Sequence, residues 1–148
     1  MADSKVSALT AATSVGGSDT LYLVQSSTSK KVTAATLFAN AGNVTFLGNI
    51  NVGGTPQALA APGIISLTSA ITHLTVDASG GALQLPQGTT GQIKYVVLTT
   101  SSGGTYTINA ANVAGNANIR FDNVGDAAQL MYTANKWFVV GGTANVTY

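Results

Sequence analysis

The sequence predicts an all-β protein: an extended N-terminal arm with a hairpin and one short helix, followed by an antiparallel β-sandwich or barrel-like domain. Three observations predict it. From residue 43 onward, short runs alternate between apolar and polar residues with the period of a strand. Turns of Gly, Asn, Ser and Asp separate these runs at spacings of about 8 to 12 residues, as in sandwiches and barrels. Helical periodicity is missing from the same region.

Residues 1–42 form the arm. "MADSKVSALTAATSVGGSD" has few large apolar residues and ends at a Gly-Gly turn, so it reads as a segment that orders only against something else. "TLYLVQ" is a strand, "SSTSK" a polar turn, and Lys31 and Val32 a short returning strand. "TAATLFANAG" then reads as a helix of about two turns, with Thr33 as N-cap and Gly42 just past its end. A hairpin and one helix bury too little apolar surface to stand alone, so this unit is expected to dock on a neighbour.

Residues 43–62 hold a short β segment and a linker. "NVTFLGNINVGG" gives two very short runs around Gly48, and "TPQALAAPG", with two of the three prolines, reads as the linker. Residues 63–148 form the β domain, with strands expected over 64–67, 72–76, 82–85, 93–99, 105–109, 118–121, 127–132, 137–140 and 145–148. Alternation sends Leu74 and Val76 inward, then Leu83 and Leu85, Ile119 and Phe121, and Trp137 with Val139. On 93–99 it permits either Ile93, Tyr95 and Val97 or the opposite set. "AQLMYTANKWFVVGG" reads as a tight hairpin turning at Ala134-Asn135-Lys136, with the only tryptophan buried beneath it. Trp137, Phe121 and Leu130 are the expected core anchors.

The composition restricts the function classes. Only 7% of the 148 residues are charged, against roughly 25% in an average soluble domain. With a net charge of +1 there is little self-repulsion, which suits a protein that works inside an assembly. Only Lys30 and Lys31 are adjacent cations, too few for the basic stripe that nucleic acid requires. Cysteine is absent, so disulfides and thiolate metal sites are excluded. No window approaches the roughly 18 apolar residues of a membrane span, and the amino terminus lacks an apolar leader core. The expectation is a protein made and used without secretion, with no membrane and no nucleic acid as partners.

Catalytic groups are scarce: one His, five Asp and no Glu. His73 lies on a strand with no nucleophile elbow elsewhere in the chain, and reads as an exposed or interfacial strand residue. Asp122 and Asp126, with Asn123 between them, could present oxygens to calcium, but the spacing is that of a turn whose carboxylates serve local backbone groups. "PQGTTGQIK" lacks the Lys-Ser/Thr ending of a phosphate loop, which makes Gly88 and Gly91 turn positions. A glycosidase would need a carboxylate pair in a cleft. Tyr22, Tyr95, Tyr106, Tyr132 and Tyr148 are the available sugar platforms, each more readily read as a packing residue. No enzyme, no cofactor and no metal site are expected.

Two stretches carry a resemblance. "KVSALTAATSVGGSDTLYLVQSSTSKKVTAATLFANAG" is similar to an amino-terminal module of many tailed-phage virion proteins, through Lys5, Ser7, Leu9, Asp19, Leu21, Leu23, Val24, Lys30, Lys31, Val32 and Thr33. The segment from Leu83 to Gly142 resembles a β domain of structural proteins from phages of cyanobacteria and other aquatic bacteria. Leu85-Pro86, Gly91-Gln92-Ile93-Lys94, Phe121-Asp122, Val124-Gly125-Asp126 and Asn135-Lys136-Trp137 carry that likeness. The resemblance implies a capsid decoration (cement) protein, a homotrimer on the outer surface of the virion head, made in the host cytoplasm. Its partners would be the major capsid protein and its own copies. The residues expected at those contacts are Val6, Leu9, Leu21, Leu23, Lys30, Lys31, Leu37 and Phe38. The rival reading is a small tail, neck or fibre appendage that binds a host receptor or glycan.

Overall fold

Alternating strands must bury one face, and here two sheets do so against each other. The computed structural model describes residues 18–25, 28–39, 50, 52 and 54–148, in two compact units, Met1–Ile50 and Asn51–Tyr148. Val6, Leu9 and the short runs of residues 43–49 lie outside the described residues. Among the described residues, no helix is long and apolar enough to cross a membrane.

In the first unit, β1 (Thr20–Gln25) pairs antiparallel with β2 (Thr28–Thr33), and α1 (Ala34–Ala39) follows directly. β2 reaches three residues into the run expected as turn. Thr33 caps the helix as its sequence position implied, its Oγ1 accepting from the Thr36 backbone N–H at 3.1 Å. The Ala34 N–H donates to the Asp19 carbonyl, which ties the helix start to the base of the hairpin.

The second unit holds β3 (Gln57–Leu59), β4 (Ile71–Val76), β5 (Gly81–Leu83), β6 (Ile93–Ser101), β7 (Tyr106–Ile108), β8 (Asn118–Phe121), β9 (Ala127–Thr133), β10 (Lys136–Gly142) and β11 (Asn145–Thr147). A five-stranded sheet runs in the order β10-β9-β6-β4-β3 and a four-stranded sheet in the order β11-β8-β7-β5. Neither closes into a barrel. The expected all-antiparallel pairing is also overturned, because β3–β4, β4–β6 and β5–β7 are parallel.

The cause is how the chain travels. It crosses from β4 to β5 in the other sheet, returns as β6, and crosses again to β7, so each return lies beside its predecessor in the same direction. The result is a short flattened coil. Two 3₁₀ turns, at Ala110–Asn112 and Ala114–Asn116, then reverse the chain. β8 and β9 run antiparallel along β7 and β6, and β10 and β11 extend the two sheets.

β3 occupies part of the expected linker. Pro56 and Pro62 flank it without entering it, and the Gln57 side chain fastens it: Nε2 donates to the Ile64 carbonyl while Oε1 accepts from Ser66 N–H and Thr72 Oγ1. Residues 64–67 are not a strand, only a single bridge from Ile64 to Gln84, although Ile65 is fully buried.

The core lies between the sheets. Leu74, Val76, Val96, Leu98 and Leu130 from the larger sheet meet Leu83, Ile108, Ile119 and Phe121 from the smaller one. Each such side chain contributes about 1.5 to 3 kcal/mol by leaving water. Trp137 is also excluded from solvent; its Nε1–H donates to the Pro86 carbonyl at 2.7 Å and its ring meets Tyr132 edge to face at 5.1 Å. The β9–β10 hairpin turns on Ala134 and Asn135 alone, both at positive φ (48° and 60°), which matches the twist of the flanking strands.

The coil closes only where its corners touch. Residues 77–80 and 102–105 link the sheets in successive turns and lie one on the other, joined by Gly81 N–H to Thr105 O and Ser102 N–H to Val76 O, both 2.8 Å. A Cβ on Gly104 would collide with the Asp77 carbonyl, and one on Gly80 (φ +61°) with the Thr105 backbone. Gly104→Ala is therefore expected to lower unfolding stability by about 1 to 3 kcal/mol, as overpacking against backbone does. Denaturant melts of the two proteins check this; equal midpoints would show that the corners are free to separate.

Candidate functional site

The charged side chains of the second unit number three cations (Lys94, Arg120, Lys136) and three anions (Asp77, Asp122, Asp126). All six have internal partners. Asp77 Oδ1 accepts from the Ser79 and Gly80 N–H groups and so holds the first corner. Asp126 Oδ2 accepts from the Asp122 and Asn123 N–H groups. Asp122 Oδ1 takes Arg120 Nε at 2.6 Å and Thr105 Oγ1 at 3.0 Å. The Lys136 ammonium donates to the Ala111 carbonyl at 2.6 Å. The Asp122–Asp126 loop thus uses its carboxylates on its own backbone and on Arg120, and among the described residues no three His, Asp or Glu side chains converge as a metal set.

Lys94 is the anomaly. It sits on the inward set of β6 with Val96 and Leu98, fully buried, its Nζ donating to the Ser69 carbonyl at 2.6 Å. Burial pulls its pKa from 10.5 down to about 8. This lysine also explains why alternation on β6 was ambiguous: the inward set contains a charge, while the outward set is Ile93, Tyr95 and Val97. Tyr106 is likewise fully buried, its hydroxyl has no partner among the described residues, and burial, then the Asp77 charge, raises its pKa.

With the charges held internally, the two outer faces of the unit differ in chemistry. The four-stranded sheet presents Thr105, Thr107, Asn109, Asn118, Arg120 and Thr147 around an open groove of 480 Å³, floored by Gly81 and Ala82. The five-stranded sheet presents exposed Ile93, Met131, Phe138 and Val140, with exposed His73 further along. Neither face was legible as a site in the sequence, because each depends on which strands become neighbours.

Of the residues expected at capsid or subunit contacts, Leu21 and Lys31 are exposed on the hairpin. Register pairs Leu23 with Lys30 and Leu21 with Val32. Leu37 and Phe38 lie in α1. The hairpin therefore brings Leu21, Leu23, Lys30 and Lys31 into one ribbon. Trp137, Phe121 and Leu130 are fully buried. Among the tyrosines, Tyr106 and Tyr132 are buried, Tyr95 is half-buried and accepts from Gln129 Nε2, and Tyr148 is exposed. Gly91 lies in a turn closed by Gln92 N–H to Thr89 O. No protein family, curated protein or solved structure matches the chain.

Lys94 makes a pH signature. Its folded pKa lies below the unfolded value, so the penalty for burying the ammonium is fully present below about pH 8 and is relieved as pH rises toward 10.5. Between pH 7 and 10.5 the native chain should gain stability relative to Lys94→Met, by an amount on the order of 3 kcal/mol. Denaturant melts across that range measure it. A difference that stays constant with pH would mean that the ammonium is hydrated in the fold.

Proposed function

We propose that this chain is a structural protein of an assembly and, within that class, a capsid decoration protein that binds the outer surface of a phage head as a homotrimer. The observation that carries the reading is the internal commitment of all six charges of the second unit. A surface of Thr, Asn, Ser and exposed aliphatics can be pressed against identical copies, or against a shell, without stripping water from an unpaired charge. The likeness of residues 5–42 and 83–142 to virion modules narrows the class to phage particles.

In this reading the first unit, with the ribbon of Leu21, Leu23, Lys30 and Lys31 and the helix carrying Leu37 and Phe38, attaches to the major capsid protein. The second unit faces outward. Binding only to the assembled, expanded lattice adds the binding free energy to the stability of the shell by mass action. The rival, an appendage that binds a glycan, rests on the Thr- and Asn-lined groove of the four-stranded sheet.

The test is to mix the purified chain with undecorated, expanded capsids, pellet them and count copies per shell. Saturation near the number of lattice threefold positions is expected, and deletion of residues 2–19 should abolish it. No binding, or a handful of copies per particle, would overturn the cement reading in favour of the appendage. Full occupancy by the truncated chain would remove the arm from attachment.

A further inference from the structure

The polar side chains on the outer face of the four-stranded sheet fall into two groups, one spent internally and one not. Thr105 Oγ1 and Arg120 Nε both donate to Asp122 Oδ1, at 3.0 and 2.6 Å, which fixes the guanidinium on the wall of the 480 Å³ groove. Thr107, Asn109, Asn118 and Thr147 line the same groove and make no side-chain hydrogen bond among the described residues. Register gathers them. Thr107 of β7 stands between Ala82 of β5 and Arg120 of β8, and Asn118, two residues back along β8, stands beside Thr147 of β11. With strands about 4.8 Å apart and a two-residue repeat of about 6.7 Å, Thr107, Arg120, Asn118 and Asn109 surround a patch of roughly 5 by 7 Å, the footprint of one sugar ring. Gly81 and Ala82 floor the groove, so β5 does not fill it.

We propose that this groove is a binding site for a neutral saccharide. This deepens the glycan reading above and rests on the same groove, but it is independent of where on a particle the chain sits.

Three features set the ligand class. The uncommitted hydroxyls and amides each offer both a donor and an acceptor, as every sugar hydroxyl does, so a polyol answers all of them. Charge at the groove sums to zero, because its one cation is already bonded to a carboxylate, and an acidic ligand would have to compete with Asp122 for it. The Arg120 side chain is nevertheless 56% exposed, and its Nη2 reaches Thr105 only at 3.5 Å, which leaves N–H groups for a neutral oxygen. Thirdly, no aromatic side chain lines the groove, so the ring is held at its edges by hydrogen bonds and not by stacking. The 480 Å³ lies within the range of about 300 to 1,000 Å³ of small-ligand sites. Since each such bond replaces one to water, a single disaccharide should bind with a dissociation constant on the order of millimolar.

At 14.8 kDa the full chain suits nuclear magnetic resonance, and titration of isotope-labelled protein with maltose, lactose, cellobiose and diacetylchitobiose tests the site. At least one of these neutral disaccharides should shift the signals of Thr107, Asn109 and Asn118 and saturate, while digalacturonate binds no more tightly. Asn118→Ala, which removes hydrogen bonds, and Ala82→Leu, which fills the floor, should each weaken binding roughly tenfold. Thr75→Ala on the other sheet should leave it unchanged, and the spectrum of each variant shows whether it is folded. Absence of groove shifts with all four neutral disaccharides, binding that survives both groove variants, or tighter binding of digalacturonate would overturn the proposal. A chain that saturates expanded capsids but ignores the sugars would lose the groove alone. Sugar binding by a chain that ignores capsids would leave the groove standing and remove only the cement reading.

Discussion

The second unit depends on one close approach, the stacking of two corners with no side chain between them. Residues 77–80 and 102–105 carry the chain from one sheet to the other in successive turns. Their backbones are joined by hydrogen bonds and separated only by the hydrogens of Gly80 and Gly104. That contact sets the rise of the coil. It places β6 beside β4 and β7 beside β5 in parallel register, and so brings Leu74, Val76 and Leu98 over Leu83 and Ile108. Asp77 belongs to the same device, since its carboxylate holds the first corner through the Ser79 and Gly80 N–H groups.

The strands were legible in the sequence where alternation is a local property. Residues 72–76, 118–121 and 127–132 fall within or coincide with strands of the fold, and the final hairpin sits where the Ala134-Asn135-Lys136 turn implied, except that Lys136 already belongs to β10. Direction of pairing was not legible. A run such as "ITHLTV" reads the same beside a parallel or an antiparallel neighbour, and the short turn signals favoured hairpins that the chain avoids by changing sheets. β3 was missed because three residues between two prolines carry no period. The faces of β6 stayed open for a different reason: a buried lysine among valine and leucine defeats any rule that sends charge outward. The groove of the four-stranded sheet needs its strands in register before it exists, so it could not be seen in any one of them.

Charge economy separates this unit from an ordinary soluble domain. Asp77 and Asp126 cap turns, Asp122 binds Arg120, and Lys136 reaches a carbonyl at the sheet edge. What remains for the outer faces, beside the Asp122-paired guanidinium of Arg120 and the exposed imidazole of His73, is hydroxyl, amide and hydrocarbon. Lys94 runs against the pattern, being wholly inside with a single carbonyl partner, and it is the point where neutral pH opposes the fold.

The order in which the sheets are laid down has a consequence for synthesis on the ribosome. The parallel turns of the coil come first, and the strands that cover its two growing edges, β8 and β9, come later in the chain. Until then β6 and β7 each present an open row of backbone donors and acceptors, the template on which edge-to-edge aggregation grows. None of the parallel pairs has a tight turn to start it, whereas β9 and β10 can close through two residues. The emerging chain thus passes through an interval in which its largest apolar strand is uncovered, and the last hairpin ends that interval.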